Sequence, residues 1–220
     1  MTKQYLALWV AIFLFPVQNF AQEHFFADEN KVFDGGLIFG ASITQVDGDT
    51  YSGYHKIGIH TGGTVYVHLS KIFGVSMDLL YSQKGSRGGN IKESYSVGTY
   101  IDKYYLNLNY IEVPVMLHLK RFEFLDFEAG LSYARLVSSK EWAEADVPVV
   151  IDPVLNSFKS TDLESVIGVS ARLSKHWYGN VRAQYSLMPF RTWDRVPLRY
   201  MQYDVGQFNN VMVFRMIYMI

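Results

Sequence analysis

The sequence predicts an all-β protein, an eight-stranded antiparallel up-and-down transmembrane β-barrel with short periplasmic turns and long outer loops. Three observations carry the prediction. Apolar and polar residues alternate with period two along most of the chain, as they do in strands with one apolar face. The connections between these stretches alternate between tight turns and long polar segments. After Lys3, every lysine from Lys31 to Lys175 falls at a predicted strand end, turn or loop. A soluble lipocalin-like barrel would scatter lysine and glutamate over its outer face. On a lipid-facing wall a lysine costs about 2–4 kcal/mol at the bilayer midplane, which accounts for the exclusion.

The 220 residues are 49% hydrophobic, 16% aromatic and 19% charged, a single aromatic-rich domain with few charges for a soluble protein. Cysteine is absent, which excludes disulfides, thiolate metal sites, cysteine nucleophiles and a lipidated N-terminal cysteine. The formal net charge of −1 supplies no basic field for nucleic acid. Residues 1–21 read as a signal peptide, with Lys3 as the positive start, Tyr5–Val17 as the apolar core and Ala21 before the cut. That core is shorter than the roughly 20 residues a spanning helix needs, and Pro16 closes it. Residues 22–32 are a short periplasmic lead, and 33–220 form the barrel.

The first strand, 33–45, turns Leu37, Phe39, Ala41 and Ile43 outward. The second, 57–69, presents Ile57, Ile59, Val65, Val67 and Leu69, and the turn Ser70-Lys71 leads into the third. That third strand, 72–84, has the clearest pattern: Phe73, Val75, Met77, Leu79 and Tyr81 on one face, small or polar residues on the other. The fourth, 102–119, breaks phase. Tyr104, Leu106, Leu108 and Tyr110 are even, whereas Val113, Val115, Leu117 and Leu119 are odd, which predicts a β-bulge near Tyr110–Glu112 to restore the apolar face. Lys120-Arg121 turns the chain into strand five, 122–136, with Leu125, Phe127, Ala129, Leu131 and Tyr133 outward. Strands six and seven, 160–175 and 176–188, meet at Lys175-His176, and strand eight is 207–220. The long loops are 46–56, 85–101, 137–159 and 189–206. Tyr81, Tyr104, Tyr133 and Tyr185 then form an outer aromatic girdle, and Phe33, Phe73, Trp177 and Tyr218 an inner one.

Charge inside the strands falls on the inward face. Asp78, Glu112, Asp126 and Glu128 lie on strands three to five, and Arg172, Arg182 and Arg215 on strands six to eight. An eight-stranded barrel is just wide enough for side chains to fill, so these charges must pair. The expected arrangement sets Arg182 and Arg215 against Asp78, Glu112 and Glu128, with Arg172 against Asp126 beneath. His60, His68 and His118 point inward as hydrogen-bonded lumen side chains, a metal site being the rival reading. Asp47-Gly48-Asp49 has the start of a calcium loop, but Tyr51 stands at the third ligand position. No nucleophile elbow occurs, and no cofactor motif. In the fourth loop, Arg191, Arg195 and Arg199 are candidate contacts for lipopolysaccharide phosphates, and a solvated loop is the alternative. Asp146–Pro153 reads as a rigid apolar segment that docks on a partner or on the loop cluster.

Several of these stretches together resemble the PorT-like outer-membrane barrels of Bacteroidota. The first strand and loop carry Asp47, Gly48, Asp49, Gly53 and Tyr54. The end of the third strand carries Tyr81, Gln83, Lys84 and Gly85, the fourth Glu112 and Pro114, and the fifth Glu128-Ala129-Gly130 with Tyr133. The resemblance implies an outer-membrane barrel in a family whose namesake is tied to the type IX protein secretion pathway. The expected function is non-enzymatic: a barrel embedded in outer-membrane lipid with a structural or interaction role, as an accessory of a secretion or assembly complex. A narrow solute channel is the rival, and a lipid-modifying enzyme the third reading.

Overall fold

The computed structural model describes residues 32–49, 51, 53–88, 92–94, 99–122, 124–145, 150–197 and 206–220. The expected signal peptide, most of the lead and Arg199 lie outside them. Among the described residues there are nine strands: β1 (Phe33–Asp47), β2 (Lys56–His68), β3 (Phe73–Gly88), β4 (Lys92–Ser94), β5 (Thr99–Phe122), β6 (Leu125–Ala145), β7 (Thr161–Arg172), β8 (Trp177–Ser186) and β9 (Phe208–Met219). Eight of them close a ring in the order β3-β2-β1-β9-β8-β7-β6-β5, with β5 returning to β3. Every pairing is antiparallel, and β4 is a three-residue strand on the far end of β5.

The ring closes between the ends of the chain, where β1 pairs β9 from Gly36↔Met219 to Asp47↔Phe208. A closed ring leaves no edge through its wall, so each backbone donor there meets an acceptor on a neighbour. Side-chain alternation follows. The outward face is apolar and exposed on strand after strand, with Leu79 at 62%, Leu131 at 52% and Ile167 at 64% exposure. An uninterrupted band of exposed apolar side chains around the wall suits lipid.

Three strands run well past their expected ends. β3 continues to Gly88, β5 has 24 residues and β6 has 21, so parts of the predicted loops 85–101 and 137–159 are paired strand. The phase break also sits elsewhere. On β5 every even residue from Tyr104 to His118 is buried, so Tyr104, Leu106, Leu108 and Tyr110 face the interior. The register shift beside Tyr110 comes from β6, where Asn109 pairs Ser138 and Tyr110 pairs Leu136, leaving Val137 as the extra residue. The apolar residues of upper β5 therefore line an interior that turns from charged to apolar as it rises. Tyr104, at 2% exposure, is consequently not part of a girdle. Tyr133, Tyr185, Phe33, Phe73 and Trp177 are exposed as expected, and Tyr218 is half-buried edge-on to Trp177.

Candidate functional site

The interior is layered. From the short-turn end upward it holds an open vestibule, two ionic layers and an apolar cap.

The lower ionic layer is set by register. Glu128, Gly168 and Arg182 lie in one row across β6, β7 and β8. A Cβ at Gly168 would stand 2.5 Å from Glu128 Oε1, so the bare glycine lets the carboxylate and the guanidinium meet over it. Arg182 Nε and Nη2 donate to the two oxygens of Glu128 at 2.5 and 3.1 Å, a bidentate fork, and Nη1 donates to Asp78 at 2.9 Å. Arg215 Nη1 donates to the same Asp78 oxygen at 3.1 Å, while its Nε donates to Asn180 at 2.6 Å. Thr64 Oγ1 donates to the other Asp78 oxygen at 2.6 Å. All four charged groups are buried, which demands this degree of satisfaction.

The upper layer centres on Lys84. Its Nζ stands 2.5 Å from Glu112 on neighbouring β5 and 2.5 Å from Glu164, three strands round the ring on β7. Ser186 and Asn209 donate to Asp162 close by, at 2.7 and 2.9 Å. Lys84 precedes Gly85, whose φ of 129° is a backbone conformation that favours glycine, and a Cβ there would lie 2.1 Å from Leu106 O. Above sits the cap, in which Leu106, Leu108, Tyr110, Val46 and Ile101 pack against Phe190 from the last long loop. Backbone bonds between Phe190 and Gln207 and between Gln207 and Arg191 join the two arms of that loop.

At the short-turn end the vestibule is a cavity of about 400 Å³. Lys120 donates to His68 Nδ1 at 2.9 Å, and His68 Nε2 contacts Asp34 at 2.6 Å. Asp126 and Arg172 also line it, but no bond joins them among the described residues. Arg172 is exposed and donates to the Ser174 carbonyl at 3.3 Å.

The expected constellation thus divides. The structure brings Asp78, Glu128, Arg182 and Arg215 together, gives Glu112 to Lys84, and separates Arg172 from Asp126. Lys84 and Glu164 were missed. Ending the third strand at Lys84 made that lysine a strand-end residue at the barrel rim, whereas Glu164 sits at an inward position of its strand and was legible by parity. Arg191 is a correction too. It is wholly buried, forks onto Glu141 at 3.0 and 2.5 Å and lies 3.7 Å from the Phe158 ring, so it cannot meet lipopolysaccharide. Arg195 stays exposed and bonds Ser157 at 2.9 Å.

The three lumen histidines do not converge. His60 contacts Ser82 and His118 contacts Ser76, and no cluster among the described residues has the make-up of a metal site. In the first loop Asp49 accepts from the Tyr51 amide at 2.8 Å and Tyr54 donates to Asn210 at 2.6 Å. Asp47 accepts from Gln45 and Asn210, and Gln45 in turn accepts the Gly53 amide. Burial pushes the Tyr51 phenol up to about 12, and the Asp49 carboxylate adds to the shift. The Asp-Gly-Asp motif therefore ties the loop to the barrel.

The sequence profile of the outer membrane protein beta-barrel domain family matches residues 20–191. No curated protein matches the sequence. The chain is similar in structure to Ail, the attachment invasion locus protein of Yersinia pestis, at 11% identity and a TM-score of 0.46, over 86% of this chain and 100% of that one. It is similar to Neisserial surface protein A at 10% identity and 0.44, over 86% and 97%. A third similar structure is OprG from Pseudomonas aeruginosa, at 12% and 0.34, over 86% and 94%.

Proposed function

Because the chain belongs to the outer membrane protein beta-barrel domain family, and so resides in the cell outer membrane, we propose that it acts there as a non-enzymatic, non-conducting barrel with a structural or interaction role. The single observation that carries this reading is the filled lumen. Two ionic layers lie under an apolar cap, and Lys84, Glu112, Glu164 and Arg182 are at most 1% exposed. Side chains filling an eight-stranded barrel leave no water column for a solute to follow.

The finer assignment is to the PorT-like barrels, with a role as an accessory of a secretion or assembly complex. The ion pair Lys84–Glu112 supports it, because its halves come from two of the stretches that carry the resemblance, Tyr81–Gly85 and Glu112–Pro114. A lipid-modifying activity would need reactive side chains gathered at a girdle, and the charged groups described above are spent on one another in the lumen.

Planar-bilayer recording tests the proposal. Pure refolded protein is expected to give no steady conductance steps. Reproducible steps, altered in ion selectivity by Glu128→Gln, would replace this reading with the narrow channel.

A further inference from the structure

The ionic layers close the lumen from above, but the vestibule below them carries chemistry that closure does not use. Its 400 Å³ lies in the range of small-ligand sites. Three lining side chains, Tyr66, His118 and Arg215, are 8%, 5% and 3% exposed. Each holds a polar atom (Oη, Nδ1 and Nη2 respectively) that makes no hydrogen bond among the described residues. Arg215 Nη2 is a donor only. With the Ser76 hydroxyl assigned as donor to His118 Nε2 at 2.8 Å, Nδ1 carries the proton and is a second donor. The Tyr66 hydroxyl is the third, its ring lying against Gly74, where a Cβ would stand 2.0 Å from Oη. Glu128 lies 3.6 Å from His118 Nδ1 and 3.8 Å from Arg215 Nη2, and it is already engaged by the Arg182 fork and Asn180.

The mouth adds charge. Lys120 is steadied by the His68–Asp34 pair and lies 4.9 Å from the Tyr66 ring centroid. Lys71 and the strand-end residues Arg121 and Arg172 also line the cavity, so four cations stand with Asp34 and Asp126 beyond the mutually paired ions of the lower layer. Buried donors behind a basic collar are the complement of a tetrahedral oxyanion.

We propose that the periplasmic vestibule binds a phosphate group, carried on a small soluble ester or on the headgroup of a phospholipid in the inner leaflet. The site lies below the closed layers, so conductance and phosphate binding are read independently.

The test uses the full chain refolded in maltoside micelles, which contain no phosphate. Glycerol 3-phosphate is titrated and followed by ³¹P NMR, with glycerol as the neutral control. Saturable binding is expected, weakened about tenfold or more in Lys120→Met/Arg172→Met through loss of charge-assisted bonds. Both side chains lie at the mouth, and unboiled gels check that this variant folds. Tyr66→Phe removes one hydroxyl and is expected to weaken binding several-fold, whereas Lys103→Met, at an exposed side chain paired with Glu144 at the opposite end, leaves it unchanged.

A parallel arm compares thermal stability in nanodiscs of phosphatidylglycerol with nanodiscs of a phosphate-free galactolipid. A phosphatidylglycerol effect that needs Lys120 and Arg172, without glycerol phosphate binding, assigns the source to the lipid headgroup. Binding of glycerol phosphate assigns it to a soluble ester. Absence of binding in both arms, or binding indifferent to those side chains, overturns the proposal.

Discussion

Arg182 holds the lower layer, because its three nitrogens reach both carboxylates while Arg215 spends one bond on Asn180. Arg182→Met leaves Asp78 and Glu128 buried with one guanidinium between them, at a cost of about 3–5 kcal/mol. Urea unfolding should show a strongly lowered midpoint, largely recovered when Glu128→Gln is added, because Asp78 keeps its bond to Arg215. Exposed Arg172→Met should change the unfolding free energy by no more than about 0.5 kcal/mol. These two arginines looked alike in the sequence, both inward by parity on neighbouring strands. Their difference is one of height: Arg172 stands at the wet rim and Arg182 under the seal. Strand parity is written in the residues, whereas depth depends on the stagger between strands, which period-two patterning does not encode. Lys84 and Arg191 were hidden for a related reason, since basic residues beside long connections read as solvated until the loops fold back.

The β5–β6 ribbon shows what one inserted residue does. Below Val137 the even residues of β6 face inward, with Ala134 and Ser132 wholly buried; above it Glu141 takes the inward side. Without that bulge Glu141 would point outward, since a one-residue slip reverses every side chain beyond it. Deleting Val137 should therefore break the bonds from Arg191 and Tyr104 to Glu141, stranding a buried guanidinium. The expected result is trypsin cleavage after Arg191 in the deletion variant, with the parent resistant. Val137→Ala, at an exposed position, should stay resistant. The sequence marked a phase break here correctly but assigned it to the fourth strand, on the assumption that its apolar residues must face lipid. The cap supplies the other destination for apolar side chains, and only the assembled barrel reveals it. The wall itself was legible, because lipid on one face and packed side chains on the other impose strict alternation.

At the scale of the molecule, ring closure joins residues near both ends of the chain, Gly36 to Met219. No strand of the ring can be peeled away without breaking two ladders, so the folded barrel should withstand sodium dodecyl sulfate at room temperature. Unboiled and boiled samples are expected to migrate at different positions; identical mobility would contradict a sealed ring in solution. The wall is also uneven. β7 and β8 have 12 and 10 residues, while β5 and β6 have 24 and 21. At about 3.3 Å per residue, the roughly 10 extra residues add ~33 Å of strand on one side. The low side fits within the bilayer and the high side stands clear of it as a fin. A neighbour diffusing in the membrane plane thus meets a different profile on each bearing, which gives this barrel a heading as well as an upright.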